Sequence, residues 1–424
     1  MFRWRWLWFF LWLLILTGCQ NGGVNPPPTP DQAVSPRPAP RSEVSSTPIH
    51  VQPSPPTMPC HLVTRPAATL DPASYLLPED HVRGDRDAAV VLLVYADFQC
   101  PGCAVLARAL QKLQTEFGDQ VTVVYRHFPL AEDNDKALLA VQAAEAAAQQ
   151  SEEAFWALHD FLYAHRAEWI DLSPEEFRAW LLASAPELGL DPDRLAQGLD
   201  DPALARRAQA AWEQGRAAGL DRVPLVFING ELYTGPPTYE ALRAVVALHV
   251  LAAKQFHQCP PWVIDPAARY RLTLHTSRGS IVILLDPRDA PQAVNSLVFL
   301  AQQGWYDGSP AYRIDPGQAV YLGDPSGTGY GHAGYFFTVE LTPNMRYDTA
   351  GLVGLVNDGP DTNSSRFFIS LAPLPSLNGR ATRVGRVVQG LDVLKDLPAW
   401  DGLRREGLAP LVIQKVQVQV VDEK

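Results

Sequence analysis

Two cysteines, Cys100 and Cys103, are separated by two residues and follow a short apolar run, and this arrangement restricts the fold more than any other feature of the chain. The run, residues 88–95, is rich in β-branched residues, as expected of a strand buried on both faces. The spacing of apolar residues in 104–117 predicts a helix, and residues 121–127 form a second strand-like run. The order strand, cysteine pair, helix, strand predicts an α/β domain with the cysteines at the start of its helix.

The chemistry of the pair favours thiol–disulfide exchange. A thiolate is the nucleophile in such exchange, and the first turn of a helix stabilises it through unpaired N–H groups and the helix dipole. We therefore predict Cys100 as the attacking nucleophile and Cys103 as the resolving thiol. A structural disulfide remains an alternative. Zinc is disfavoured because His61, His81 and His127 are too scattered to complete a ligand set, and we expect no metal and no cofactor.

Three segments around and beyond the cysteines resemble the DsbA-like thioredoxin-fold family. In chain order they are YADFQCPGCA (95–104), VTVVYRHFPL (121–130) and RVPLVFING (222–230). The resemblance covers about residues 88–257. It implies an α/β thioredoxin fold in which the Ala-rich residues 136–219 form a helical insertion.

The same resemblance implies a role for Val223 and Pro224. Their peptide bond corresponds to the cis-proline bond of the family, in a loop held beside the cysteine pair. The backbone of Val223 would then pair with an extended substrate. Arg222 and Leu225 depart from the family, in which glycine and threonine are common at these positions.

Two further cysteines, Cys60 and Cys259, flank this predicted domain. In an oxidising compartment we expect a structural disulfide that joins the two ends of the domain. Free or intermolecular thiols and a second redox relay are the alternatives.

The chain after Cys259 has a different pattern. Residues 271–276 and 280–285 predict a β-hairpin, and residues 290–304 predict a helix that begins near a proline and stops at a glycine. Short strands and glycine-rich loops follow. Periodicity alone indicates a mainly β domain with few helices.

Four segments of this region resemble cyclophilins, from about residue 270 to residue 421. They are GSIVILLDPRDAPQAVNSLVFLAQQGWYDG (279–308), GDPSGTGYG (323–331), NDGPDTNSSRFFIS (357–370) and VGRVVQGLDVL (384–394). The resemblance implies a mainly β cyclophilin-like barrel with peptidyl-prolyl isomerase activity. This reaction needs no covalent chemistry, since a site lowers the barrier of roughly 18–20 kcal/mol by stabilising the twisted amide.

The cyclophilin resemblance also implies site residues. Arg313 matches the arginine that hydrogen-bonds the twisted amide nitrogen, Phe368 and Leu377 match walls of the proline pocket, and Asn357 matches a position that pairs with substrate backbone. Other pocket positions depart from the family pattern: Gln318, Ala319, Tyr321, Arg366, Ser376 and Ala381. These departures leave a non-catalytic, peptide-binding scaffold as an alternative to an isomerase.

The amino terminus carries two arginines and then an apolar stretch, residues 6–16, that is short for a membrane span. Leu16-Thr17-Gly18-Cys19 resembles the lipobox of bacterial lipoproteins, which implies cleavage before Cys19 and lipidation of Cys19. An uncleaved anchor and an ordinary signal peptide are the alternatives. Residues 21–58 are rich in Pro, Ser and Thr, and we expect a spacer with a reach on the order of 100 Å at most.

We therefore predict five consecutive parts: a lipoprotein signal peptide (1–19), a Pro/Ser-rich tether (20–60), a DsbA-like domain (61–258), a linker (259–269) and a cyclophilin-like domain (270–424).

The predicted protein is an extracytoplasmic, membrane-anchored folding factor for exported client proteins with thiols or X-Pro bonds, working with a redox partner. Both chemistries address slow steps of folding. The net charge of -11 argues against nucleic-acid binding. The alternative is a non-catalytic chaperone or scaffold with structural cysteines.

Overall fold

The computed structural model describes residues 56–63, 76–404 and 409–421. The predicted signal peptide, the lipidation residue Cys19 and nearly all of the predicted tether lie outside these residues. Within them, no helix has the length and apolar character needed to cross a membrane.

The described strands, in chain order, are β1 (His61–Leu62), β2 (His81–Arg83), β3 (Val90–Ala96), β4 (Val121–His127), β5 (Leu225–Ile228), β6 (Glu231–Tyr233), β7 (Arg269–Thr276), β8 (Gly279–Leu285), β9 (Arg313–Asp315), β10 (Ala319–Leu322), β11 (Tyr335–Phe336), β12 (Leu352–Leu355), β13 (Phe367–Ser370), β14 (Arg383–Gln389), β15 (Trp400–Asp401) and β16 (Ile413–Val421). The described α-helices are α1 (Pro101–Phe117), α2 (Ala137–Ala148), α3 (Glu152–Ala164), α4 (Arg166–Trp169), α5 (Pro174–Ser184), α6 (Pro192–Leu199), α7 (Pro202–Ala217), α8 (Tyr239–Ala252) and α9 (Pro291–Gln302).

The first domain is built on a five-stranded sheet with the order β2-β4-β3-β5-β6. β3 and β4 pair in parallel, and the other neighbours are antiparallel. β3 is buried along nearly its whole length because its Val and Leu side chains face apolar layers on both sides of the sheet. α1 and α8 pack on one another beside this sheet, and α2 to α7 form the predicted helical insertion between β4 and β5.

The second domain is built on a nine-stranded antiparallel sheet with the order β15-β9-β10-β13-β12-β14-β8-β7-β16. The predicted hairpin is present as β7 and β8, and the predicted helix as α9. The buried face of α9 packs into the core of this domain, together with aromatic residues that include Tyr306 and Tyr335. Among the described residues, β15 and β16 are the two end strands of this ladder.

Several contacts join the two domains. α8 contributes Leu242 and Val246 to the first core, whereas Leu251 in its last turn lies in the second core. Arg243 of the same helix is buried, forms an ion pair with Glu116 and donates to the carbonyl oxygen of Ser326. One helix thus belongs to both hydrophobic cores.

The segment before the first domain also contacts the second. β1 pairs with β11 in an antiparallel two-stranded sheet. Beside it, Cys60 and Cys259 form a disulfide, with their Cα atoms 5.7 Å apart. The predicted boundary at residue 61 assigned β1 to the first domain, but its hydrogen bonds are made to the second.

Replacement of Cys60 and Cys259 by serine should lower the free energy of unfolding by about 2–5 kcal/mol. The bridge spans 199 residues of sequence, and closing so long a loop removes much entropy from the unfolded chain. Urea denaturation of the oxidised full chain measures the effect. A Cys100→Ser/Cys103→Ser chain, which keeps the bridge, is the matched control. Equal unfolding midpoints for wild type and the bridge variant would contradict the prediction.

Candidate functional site

Cys100 lies at the N-cap of α1, where the chain leaves β3 through a three-residue loop. Its Sγ accepts a hydrogen bond of 3.2 Å from the backbone N–H of Cys103, so the sulfur occupies the place of an ordinary capping oxygen. Pro101 takes the first helical position, which needs no N–H partner. Cys103 is almost fully buried, whereas Cys100 is partly exposed. This arrangement gives one accessible sulfur and one protected sulfur.

The two thiols differ in acidity. The hydrogen bond from the Cys103 side chain, aided by the backbone N–H groups of Cys103 and Gly102, lowers the pKa of Cys100 from 9.0 to about 7 against the opposing effect of burial. Burial, reinforced by the neighbouring Cys100, raises the pKa of Cys103 well above its usual value. Near neutral pH, Cys100 is therefore the thiolate of the pair and Cys103 is protonated.

The loop before β5 lies against this pair. The Val223–Pro224 peptide bond is cis, and Sγ of Cys100 lies 3.8 Å from the carbonyl oxygen of Val223, to which the protonated thiol donates. A Cβ atom at Gly102 would lie 3.2 Å from Cδ of Pro224, so the glycine lets the ring approach the sulfur. Arg222, which departs from the family pattern, has a largely exposed side chain.

Asp97 holds the loop that presents Cys100, and the sequence analysis did not single it out. Its buried carboxylate accepts hydrogen bonds from the backbone N–H groups of Gln99 and Leu130 and from the side chain of Asn134. The guanidinium of Arg166 donates to the carbonyl oxygen of Gln99 from the other side. In the sequence, the only indication of this role was the position of Asp97 between the predicted strand and the cysteine pair.

Arg313 lies on β9 opposite Tyr321 of β10 in the second domain. Asp315 accepts two hydrogen bonds from its guanidinium, 2.9 Å from Nε and 2.8 Å from Nη2, and the guanidinium carbon lies 5.1 Å from the ring centroid of Tyr321. These residues line a cleft of about 890 Å³. A guanidinium has five N–H donors, so donors remain for a peptide in the cleft.

Phe368 and Leu377 lie in one apolar cluster next to this cleft. Phe368 is almost fully buried, with its ring centroid 6.0 Å from that of Tyr321 and 5.3 Å from that of Tyr347. Ala381 belongs to the same cluster. The structure thus brings Arg313 and the two predicted wall residues around Tyr321, and it adds Tyr347, which the sequence analysis missed.

Of the remaining predicted positions, Arg366 lines the cleft. The side chain of Asn357 donates to the carbonyl oxygen of Arg380 at 2.9 Å. Arg366, at a position where the family has glutamine, is buried and is bound by Asp358 and by the carbonyl oxygen of Gly329. Ala319 is buried, whereas the side chains of Gln318 and Ser376 are exposed. The cleft therefore keeps part of an apolar wall but carries a second arginine.

Two histidines lie closer together than the sequence analysis expected. His81 of β2 pairs with Tyr125 of β4, so His81 and His127 lie on one face of the sheet, next to Glu145. The expectation that His61, His81 and His127 are scattered is wrong for the last two, because strand pairing and not sequence spacing sets their distance. Burial lowers the pKa of His127 to about 3, which keeps its ring neutral.

Comparisons with known proteins agree with this division of the chain. Residues 77–247 match the thioredoxin family, and residues 271–418 match the family of cyclophilin type peptidyl-prolyl cis-trans isomerases. Peptidyl-prolyl cis-trans isomerase-like 1 of Gibberella zeae is 35% identical over 159 residues, which cover 36% of this chain and 96% of that protein. The chain belongs to the cyclophilin-type family. The predicted fold classes are confirmed as a thioredoxin-family domain followed by a cyclophilin-type domain.

Two further comparisons cover about as much of the chain. A Na⁺/H⁺ antiporter of Salinispora tropica, NhaA 3, is 40% identical over 167 residues, but this chain spans only 24% of its length. The crystal structure of alpha-DsbA1 from Wolbachia pipientis is 18% identical, with a TM-score of 0.37, over 42% of this chain and 94% of that one. By the two family matches, the cyclophilin-type domain of this chain follows a thioredoxin-family domain in one polypeptide.

Proposed function

We propose that this chain is a membrane-tethered, extracytoplasmic folding factor with two activities. The first is thiol–disulfide exchange at Cys100 and Cys103, and the second is peptidyl-prolyl isomerisation at the cleft of Arg313. The observation that carries the proposal is the pair of unequal thiols at the N-terminus of α1, one partly exposed with a pKa of about 7 and the other buried. Lipidation of Cys19 would supply the membrane anchor, and the Pro/Ser-rich segment would supply the spacer.

The exchange reaction follows from this difference in acidity and exposure. The Cys100 thiolate attacks one sulfur of a client disulfide, which forms a mixed disulfide and releases the other client sulfur as a thiolate. Cys103 then loses its proton, and its sulfur attacks Cys100, which forms the Cys100–Cys103 disulfide and releases the second client thiolate. The client gains two electrons and the chain loses two. With a reduced client the same steps run in reverse, and a redox partner restores the starting state.

In the isomerisation, no covalent bond forms between protein and substrate. The free N–H donors of Arg313 would stabilise the amide nitrogen as the peptide bond twists, while Phe368 and Leu377, in the apolar cluster with Tyr321, would form the wall against the proline ring. Asp315 holds the guanidinium in position for this contact.

A peptide-binding scaffold without catalysis is the second candidate for this domain, and it is favoured by the small side chains of Ser376 and Ala381 in the pocket region.

Exchange with glutathione tests the oxidoreductase proposal. In glutathione and dithiothreitol buffers of graded potential, we expect the Cys100–Cys103 pair of the full chain to pass from dithiol to disulfide, while the Cys60–Cys259 bridge is followed separately by mass spectrometry. A Cys100→Ser chain should show no such transition. If the wild-type pair stays in one state across all buffers, the oxidoreductase proposal fails.

A further inference from the structure

Three buried polar side chains converge in the first domain, away from the cysteine pair. His81 comes from β2, His127 from β4 and Glu145 from α2, and their side chains are 8%, 6% and 4% exposed. One nitrogen or oxygen atom from each lies within 4.8 Å of the others. Neither proposed activity uses any of them.

The hydrogen bonds around these residues leave one histidine acceptor facing a carboxylate, and they do not fix the tautomer of the second histidine. Nδ1 of His81 lies 3.1 Å from Oε2 of Glu152, so in the neutral ring Nδ1 carries the proton and Nε2 carries a lone pair. That Nε2 atom lies 3.6 Å from Oε1 of Glu145, as does Nε2 of His127. Among the described residues, neither Nε2 has a hydrogen-bond partner. A buried acceptor that faces a carboxylate is unfavourable unless a proton or a metal ion lies between the two atoms.

We propose that His81, His127 and Glu145 bind a divalent transition-metal ion of the zinc type. Neutral imidazole nitrogens and carboxylate oxygens are zinc ligands, and in a tetrahedral site with bonds of about 2.0–2.1 Å the ligand atoms lie about 3.3 Å apart. The two distances of 3.6 Å from Glu145 to the histidines need to shorten only slightly to reach that geometry, and the distance between the two histidine nitrogens lies within 4.8 Å. The ligands lie on two paired strands and one helix, which hold them in place before the ion binds.

Surrounding side chains orient His81 in the manner of an outer ligand shell. The carboxylate that accepts from its Nδ1, Glu152, also accepts from the backbone N–H of Val82 at 3.0 Å and from Nε1 of Trp156 at 2.9 Å. Phe155 stacks on the imidazole ring at a centroid distance of 3.4 Å. A carboxylate that fixes the second nitrogen of a histidine is a recurrent feature of metal sites, because it sets the tautomer and raises ligand basicity.

A cavity of about 470 Å³ gives the site access and room for a fourth ligand. It is lined by His81, His127 and Glu145 together with Tyr95 and Arg207, among others. Arg207 forms an ion pair with Oε1 of Glu145 at 3.0 Å, and its side chain is 48% exposed, so an ion bound to Oε1 would displace this contact toward solvent. Three protein ligands next to an open cavity leave the fourth position of a tetrahedral ion to water or to a small anion.

Equilibrium dialysis of the full chain against zinc sulfate tests the proposal. Cys100 and Cys103 are first oxidised to their disulfide, so that their thiolates cannot bind the ion. We expect one saturable zinc per chain, with affinity at least tenfold weaker in the His127→Gln and Glu145→Gln variants. His165→Gln is the matched control and should bind like wild type, because His165 is a partly exposed histidine paired with Glu168.

X-ray absorption at the zinc edge provides a second measurement that does not depend on a variant folding correctly. In the zinc-loaded wild-type chain, we expect imidazole nitrogen and carboxylate or water oxygen around the ion, and no sulfur. Absence of bound zinc, sulfur in the ligand shell, or undiminished binding by a folded His127→Gln chain would each overturn the proposal.

Discussion

Cys100 should react with iodoacetamide about tenfold faster than an ordinary thiol at pH 6, and its reaction should be half-maximal near pH 7. At pH 6, a thiol with a pKa of about 7 carries about 100-fold more thiolate than a thiol with a pKa of 9.0. The less basic thiolate is intrinsically about eightfold less nucleophilic, so the net advantage is about tenfold. Cys103, buried and with a raised pKa, should remain unmodified under the same conditions. Mass spectrometry of the reduced chain measures both rates over a range of pH.

Two variants at Cys103 identify the cause of the lowered pKa. The largest lowering effect on Cys100 comes from the hydrogen bond of the Cys103 side chain. Cys103→Ala removes this donor, so the midpoint of the alkylation profile should move to higher pH. Cys103→Ser keeps a hydroxyl donor at the same position and is the matched control, with a smaller shift. A wild-type midpoint near pH 9 would contradict the assignment of Cys100 as the activated nucleophile.

Arg313→Ala should reduce the rate of proline-peptide isomerisation by about a hundredfold. Its guanidinium is the charged donor that Asp315 holds at the cleft, and loss of one such donor typically costs 10²–10³ in rate. A protease-coupled assay with a Pro-containing peptide measures the rate constant for the full chain.

Arg346→Ala is a close control for this variant. Arg346 is 61% exposed and is bound by Asp348 two residues later, whereas Arg313 is 58% exposed and is bound in the same way by Asp315. Loss of activity in Arg313→Ala alone would assign the effect to the cleft. A wild-type rate equal to the uncatalysed rate would exclude the isomerase and leave the peptide-binding scaffold.

Local sequence patterns predicted most of the elements around the cysteines. The strand at residues 121–127 is found with the same bounds, and the hairpin of β7 and β8 agrees to within two residues. α1 begins three residues earlier than the apolar spacing indicated, since Pro101 fits the first helical position and the Cys100 sulfur caps it. These features depend on residues that are close together in the sequence, so they can be predicted from the sequence alone.

Contacts between distant parts of the chain were not predictable in this way. The pairing of β1 with β11 joins residues more than 270 positions apart, and no local pattern encodes it. The approach of His81 to His127 depends on the register of β2 with β4. The contact of the Tyr347 ring with the Phe368 ring depends on how a loop returns to the sheet. Each of these contacts is set by tertiary packing.

The reduction potential of the Cys100–Cys103 couple tests the central claim most directly. A Cys100 pKa of about 7 stabilises the thiolate only moderately, as in thioredoxin, so we predict a potential nearer about -270 mV than about -120 mV. The full chain is equilibrated in glutathione and dithiothreitol buffers, and free thiols are trapped by acid and alkylation. A transition near the lower value would agree with a moderately activated dithiol that reduces client disulfides. A value near -120 mV would contradict the predicted direction, and the absence of any transition would contradict a redox function for this pair.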